Sequence, residues 1–283
     1  MSRSAIRLPG NIAILFCCLM SKGEVIHAQA NPQLTAAISI TKPRTPLHGL
    51  LLAMVTLSNR TDHQIVVDLG QDNEQVFVFT ITSPDGKITR KQFELTEGLH
   101  RTGKETIEPL TTYRQELVIN KWYSFEFAGT YEVSITMKAE VLTEPAQYIE
   151  AKCDHPIVIE AANPEQVGHE AQQLLEIITR STTFNEASAA ATKLTLITDP
   201  VVVQYLADGA AATNIQVAPI LIGGLAKVGN DEAVDALFRL TASGDQPKRM
   251  MAVNALEYLK STEHDPGLRR KIELGLQALT REN

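Results

Sequence analysis

The sequence predicts a two-domain protein, an all-β sandwich followed by a stack of α-helical repeats, preceded by an export signal. The first thirty residues combine basic, apolar and small-residue segments in that order. Apolar residues then recur at every second position from about residue 34 to residue 160, and at helical spacing from about residue 164. We therefore predict a signal peptide at residues 1–30, a sandwich at 31–160 and helical repeats at 161–283.

The N-terminal segment has the order of a secretory signal peptide. Arg3 and Arg7 precede an apolar run at residues 12–20, and a polar stretch ends in Ala28-Gln29-Ala30. The run is about half the roughly 20 apolar residues that a membrane-spanning helix needs. We expect cleavage after Ala30 and export to the periplasm or the extracellular space, with no transmembrane segment afterwards.

Composition excludes some classes of function. Without residues 1–30 the chain has 23 basic and 32 acidic residues and no basic stripe, which argues against nucleic-acid binding. Cleavage also removes Cys17 and Cys18, so Cys153 can form no internal disulfide. We expect Cys153 to pack as a small apolar side chain, with a reactive or intermolecular thiol as the alternative.

The β region is divided into short strands by turn residues about every ten positions. The predicted strands are 36–41, 50–58, 64–68, 76–83, 87–95, 111–120, 129–138 and 151–160. Segment 76–81 is almost entirely apolar, which predicts a central strand buried on both faces. Ser83-Pro84-Asp85-Gly86 predicts a hairpin turn, because proline presets a turn dihedral and glycine supplies a positive one.

The helical region shows an internal repeat. The predicted helices are 164–180, 185–198, 200–211, 217–228, 231–242, 247–260 and 265–280. Residues 202–206 align with 234–238 at an offset of 32, and residues 221–228 align with 252–259 at an offset of 31. Helix pairs that repeat at this period indicate a solenoid.

Two resemblances accompany these patterns. Leu57-Ser58-Asn59-Arg60-Thr61, Phe77-Val78-Phe79 running into Ser83-Pro84-Asp85-Gly86-Lys87, and the later Phe127-Ala128-Gly129-Thr130-Tyr131 resemble bacterial immunoglobulin-like domains. The layout is similar to that of the bacterial proteinase-inhibitor family and other envelope sandwich families. Residues 219–259, with Arg249 early in the second helix of a pair, resemble HEAT repeats of the short bacterial type. Both resemblances imply a fold, and neither specifies an activity.

A search for catalytic motifs finds none. His169-Glu170-Ala171-Gln172-Gln173 is close to a zinc-protease helix, but the fifth residue is Gln where a second His is required, so we interpret it as an exposed helix face. The acidic loop 68–74 has oxygen ligands suited to calcium, although its spacing fits no EF-hand and a solvated turn is the alternative. We expect no enzyme activity, no cofactor and no metal.

Because both modules are interaction folds, the leading hypothesis is a non-catalytic, exported protein-binding or scaffolding protein of the cell envelope. Its partner would be a protein or peptide of unknown identity. One alternative is an inhibitor or accessory subunit of a secreted hydrolase. Another is an enzyme with an unrecognised site.

The predicted binding surface lies on the second helices of the repeats. If Leu221 and Leu225 face the stack, helical geometry turns Ile222 the other way. The predicted groove for a helical or extended peptide comprises Ile222, Val253, Asn254 and Glu257. The alternative is that the last predicted helix, 265–280, covers this strip as ordinary core. We expect the double substitution Ile222→Asp with Val253→Asp to separate the two by its effect on stability.

Overall fold

The computed structural model describes residues 33–93 and 102–281. The predicted signal peptide at residues 1–30 lies outside this range.

The N-terminal half consists of β-strands. The strands are β1 (Leu34–Ile40), β2 (Arg44–Pro46), β3 (Leu52–Asn59), β4 (Ile65–Asp68), β5 (Phe77–Thr82), β6 (Ile88–Gln92), β7 (Lys104–Ile107), β8 (Thr112–Val118), β9 (Gly129–Val141) and β10 (Gln147–Glu160). The sequence patterns did not predict β2 and β7. These two strands have three and four residues, too few for a period of two to be recognised.

The strands form two open sheets that share one hydrophobic core. Three strands in the order β1-β3-β8 make the smaller sheet. In the larger sheet, β9 pairs with β10 on one edge and with β4 and β5 on the other, and β2, β6 and β7 extend it. Val55 and Leu117 of the smaller sheet belong to the same buried cluster as Phe79 and Ile135 of the larger one.

Strand β5 differs from its prediction. It lies between β6 and β9, but only Phe77, Phe79 and Ile81 are buried, whereas Val78 and Thr80 are partly exposed. The predicted burial on both faces was therefore wrong. A strand can be central in its hydrogen bonding while only one of its faces meets another layer.

Seven helices follow the sheets. They are α1 (Pro164–Arg180), α2 (Phe184–Leu194), α3 (Val202–Ala212), α4 (Ala218–Val228), α5 (Asp231–Thr241), α6 (Gln246–Thr262) and α7 (Pro266–Arg281). Polar side chains cap the first turns of α1, α2, α5 and α6, as when Asn163 Oδ1 accepts a hydrogen bond from Gln166 N at 3.1 Å. Helix α5 begins at Asp231, and Asn230 before it is the cap.

The helices are arranged in two layers. In one layer α1 contacts α3, α3 contacts α5 and α5 contacts α7, and in the other α2 contacts α4 and α4 contacts α6. Contacts between α1 and α2, between α3 and α4, and between α5 and α6 join the layers. Both layers contribute to one core that is rich in alanine, leucine and valine.

The segment between β1 and β3 joins the two halves. Leu50 is buried in the helical core, whereas its neighbour Leu51 is buried in the β core. Leu50 N donates to Glu170 Oε2 of α1 at 3.3 Å, and Lys42 Nζ lies 3.6 Å from the Glu170 carboxylate. His48 O accepts a hydrogen bond from Thr198 N at 3.3 Å. We call residues 47–51 the junction loop, since they fix the sheets to the helices beyond the short link at 161–163.

Candidate functional site: an apolar groove between two helices

A groove of about 770 Å³ lies between α4 and α6. It is lined by Pro219, Ile222, Gly223, Ala226, Lys227, Val228 and Gly229 from α4 and its C-cap, and by Met251, Asn254, Ala255, Tyr258, Leu259, Thr262 and Glu263 from α6 and its C-cap. Most of these side chains are apolar. The groove therefore offers the kind of surface that binds an apolar segment by excluding water.

The two helices run in the same direction. A Cβ atom placed on Gly229, the C-cap of α4, would lie 3.3 Å from Leu259 in the last turns of α6. The C-termini of both helices are thus at the same end of the groove. The unpaired carbonyls there give that end a partial negative charge.

The groove has a buried floor and an exposed rim. Ile222 is only 3% exposed, so its side chain is part of the helical core as well as of the groove. Tyr258 is 61% exposed, although large aromatic side chains are usually more buried, and Asn254 is also exposed. An exposed tyrosine beside an apolar floor is typical of a binding surface.

Two adjacent glycines of α4 have different environments. A Cβ on Gly224 would lie 2.7 Å from Thr195 Cγ2, so the approach of α4 to the end of α2 requires glycine there. A Cβ on Gly223 would meet no atom within 4 Å. Glycine inside a helix costs about 1 kcal/mol relative to alanine, and among residues 33–93 and 102–281 no packing contact accounts for that cost at Gly223.

The C-terminal end of the groove holds two charged side chains with different partners. Glu263 Oε1 accepts hydrogen bonds from His264 N and Asp265 N, both at 2.7 Å, so its carboxylate stabilises the turn before α7. Lys227 is exposed and forms no ion pair or hydrogen bond with any residue that the structure describes. The groove therefore presents one cation that is available to a ligand.

The four predicted binding residues do not all line the groove. Ile222 and Asn254 do. Val253 packs against the helical core, and Glu257 forms an ion pair with Lys260.

The repeat offset explains this difference. In the groove, Pro219, Ile222 and Ala226 are matched by Met251, Asn254 and Tyr258, an offset of 32 where the prediction used 31. The first helices of the repeats align at an offset of 32. The same offset applied to Ala226 of the second helix predicts Tyr258 as a residue of the groove.

The predicted alternative, a strip covered by the last helix, does not match the structure. Helix α7 packs against α5 and α6, and none of its described residues lines the groove. Because Ile222 is buried even though the groove is open, Ile222→Asp would lower stability in either case. The double substitution proposed from the sequence therefore cannot separate the two arrangements.

The other candidates have structural partners. Glu170 of the near-motif contacts Lys42 and Leu50 across the domain junction, while the exposed His169 lies 3.0 Å from the Gln173 amide. In residues 33–93 and 102–281, no three His, Cys, Asp or Glu side chains are grouped so that they could hold a metal ion.

Several polar groups of the acidic loop 68–74 contact other residues of the β region or the loop itself. Glu74 pairs with Lys121 at 2.6 Å, and Asp68 Oδ1 accepts from Gly70 N at 2.8 Å. Asn73 Nδ2 donates to Glu105 Oε1 at 2.6 Å. These contacts engage Asp68, Asn73 and Glu74 with other groups of the protein.

Cys153 lies half-buried against the β core. Burial raises the pKa of its thiol, and the nearby Asp154 carboxylate raises it further, while a backbone hydrogen bond at Ile40 opposes the shift. A thiol with a raised pKa is a weak nucleophile at neutral pH, because only the thiolate reacts.

Comparisons with known proteins identify no family. No family model and no curated protein matches the chain. Among solved structures, the chain is similar to the structural-genomics target SoR45, with 13% identity over 47% of this chain and 89% of that one, and a TM-score of 0.27. It is also similar to the sporulation control protein Spo0M of Bacillus subtilis, with 14% identity over 51% of this chain and 55% of that one, and a TM-score of 0.25.

A third similarity is to Escherichia coli alpha-2-macroglobulin, from domain MG7 to the C-terminus. The identity is 10% over 84% of this chain and 48% of that one, and the TM-score is 0.28. All three TM-scores are too low to assign a fold or a function. Within the described ranges, no helix has the length and apolar character needed to cross a membrane.

Proposed function

We propose that this chain is a non-catalytic, exported protein-binding or scaffolding protein of the cell envelope, and that the groove between α4 and α6 binds its partner. The observation that carries the proposal is the open apolar groove with Tyr258 exposed on its rim. Aromatic side chains of this kind contribute a large share of the binding energy at protein interfaces.

We further propose that the sheets form an immunoglobulin-like sandwich and that the helices are HEAT-like repeats. The single core between the two sheets supports the first assignment. The alternation of helices between two layers supports the second, because solenoid repeats stack in this way. Solenoid repeats form extended concave binding surfaces, which is consistent with the proposed role.

Export rests on the sequence of residues 1–30 alone. N-terminal sequencing of the protein purified from the cells that make it is expected to begin at Asn31. Protein that retains Met1 and stays in the cytoplasm would remove the proposed location and leave the groove unaffected.

The binding role is tested by affinity capture from envelope extract with two matched variants. A Cβ atom at position 223 or 244 would meet no atom of the described residues within 4 Å. Gly223→Leu therefore places a side chain in the groove, whereas Gly244→Leu places one at an exposed position outside it. We expect a partner that wild type and Gly244→Leu retain equally and that Gly223→Leu loses by at least tenfold.

If every captured protein binds Gly223→Leu as well as wild type, the groove is not the binding site. A captured hydrolase that loses its activity in a one-to-one complex would instead favour the inhibitor role. The two results are distinguished by assaying the captured protein with and without the chain.

A further inference from the structure

We propose that the groove binds an amphipathic α-helix of the partner protein, which runs antiparallel to α4 and α6 with a small residue over Gly223 and an acidic first turn beside Lys227. This inference rests on the proposed binding function and specifies the chemistry of the partner.

The direction follows from the helix termini. The C-termini of α4 and α6 lie at the same end of the groove, where their carbonyls concentrate partial negative charge. A third helix packed between them is stabilised when its N-terminus, which carries partial positive charge, lies at that end. Helix α4 has 11 residues and is therefore about 16 Å long, so an occupant of about three turns would span the groove.

The contact surface follows from Gly223. Its missing side chain leaves open space on the groove side of α4, and no atom of the described residues lies within 4 Å of the position that its Cβ would take. Ala226 and Ala255 also present only a methyl group to the groove. Small side chains let two helix backbones approach closely, which favours a helix with a small residue at the crossing point.

The acidic first turn of the bound helix follows from Lys227. It is the one lysine or arginine that lines the groove, and it has no ion-pair partner in the described part of the chain. Acidic side chains are favoured in the first turn of a helix. In the antiparallel orientation, that turn lies at the end of the groove where Lys227 is located.

The domain junction limits the occupant at the same end. Lys227 also borders a cavity of about 90 Å³ that is lined by Tyr123 and Phe125 of the β domain and by His48 of the junction loop. The end of the groove therefore adjoins the β domain. This neighbour favours an occupant helix that begins beside Lys227 over one that continues past it.

The test uses three fluorescein-labelled, 18-residue peptides with one apolar face, measured by fluorescence anisotropy against the chain from Asn31 to Asn283. The first has two Glu in its first turn and two Lys in its last turn. The second exchanges these charges, and both carry the same side-chain lactam cross-link so that their helicity is equal. The third has the composition of the first with two interior prolines that prevent a helix.

We expect the acid-first peptide to bind at least fivefold more tightly than the charge-exchanged peptide, and the proline peptide to bind most weakly. Lys227→Gln is expected to abolish the preference, while Lys91→Gln, an exposed lysine of the β domain, preserves it. Gly223→Leu is expected to weaken the acid-first peptide at least tenfold, and Gly244→Leu to have no effect.

Equal binding of the first two peptides, a preference that survives Lys227→Gln, or tight binding of the proline peptide would overturn the inference. Failure of all three peptides to bind at about 100 μM would also overturn it. The proposed binding function would still stand in each case if Gly223→Leu lost the captured partner. It would fall if capture were independent of the groove.

Discussion

The junction loop and the α4–α6 groove are two apolar surfaces on the helices. The first is covered by another part of the chain, and the second is open to solvent. At the junction, Leu50 of the β domain enters the helical core and is 1% exposed. At the groove, Ile222 is equally well packed underneath, but Tyr258 above it is open to solvent. The comparison shows how a segment from outside the helices docks on them: an apolar side chain fills the core while a charged side chain, Glu170, holds the backbone.

The largest change in unfolding free energy is expected from a substitution in the junction loop. Leu50→Ala removes a buried side chain from the helical core, and such changes cost about 2–5 kcal/mol of unfolding free energy. Urea denaturation measures the change. Leu110→Ala is the control, because Leu110 is 75% exposed and its loss should alter stability by less than about 0.5 kcal/mol. Equal effects of the two substitutions would break the distinction between a filled contact and an open one.

Gly223 and Gly224 of α4 provide a sharper comparison. Substitution by alanine should raise the unfolding free energy at one of these neighbouring positions and lower it at the other. Gly224→Ala forces a methyl group against Thr195 and should cost about 1–3 kcal/mol. Gly223→Ala gains helix propensity without a clash and should stabilise by about 0.5–1 kcal/mol. Thermal and urea unfolding measure both. A loss of stability in Gly223→Ala would show that the groove is closed in solution.

A smaller effect is expected from the polar part of the junction. Glu170→Ala removes the carboxylate that accepts from Leu50 N and pairs with Lys42, which should cost about 1 kcal/mol. Glu176→Ala is a matched control on the same helix, where an exposed pair with Arg180 is worth about 0.3–0.5 kcal/mol. If both changes cost the same in urea denaturation, Glu170 does not hold the junction.

The smallest effect is expected on the open side. Tyr258→Ala changes a side chain that is 61% exposed, so the unfolding free energy should stay within about 0.5 kcal/mol of wild type. Partner capture should nevertheless fall, because Tyr258 lies on the groove rim. A loss of more than 1 kcal/mol in stability would place Tyr258 in the folded core, and unchanged capture would remove it from the binding surface.

The order of the two regions and the number of helices could be predicted from the sequence. Periodicity decides these features, since alternating residues fit a strand with one buried face and residues three or four apart fit one face of a helix. The helix 164–180 was predicted with the bounds that α1 has in the structure. Its Pro at the first turn and Asn163 before it are local signals that need no tertiary partner.

Two of the four residues that were predicted to form a binding surface, Ile222 and Asn254, line the groove. Ile222 was assigned to the groove side of α4 from helical geometry alone, and it lines the groove. Val253 and Glu257 of α6 each lie one position before a residue that lines the groove, Asn254 or Tyr258, because the rotation of a helix about its axis depends on what it packs against. An error of one residue turns a helix face by about 100°, which is enough to exchange Tyr258 for Glu257.

Only the tertiary structure decided the junction and the openness of the groove. Nothing in the sequence distinguishes Leu50 from Leu51, yet each is buried in a different hydrophobic core. The glycines at positions 223 and 224 are likewise identical in the sequence, and only their distances to Thr195 separate a packing requirement from an open surface. Local patterns determine which segments become strands and helices, whereas contacts between residues far apart in the chain determine which apolar faces are covered and which remain available to a partner.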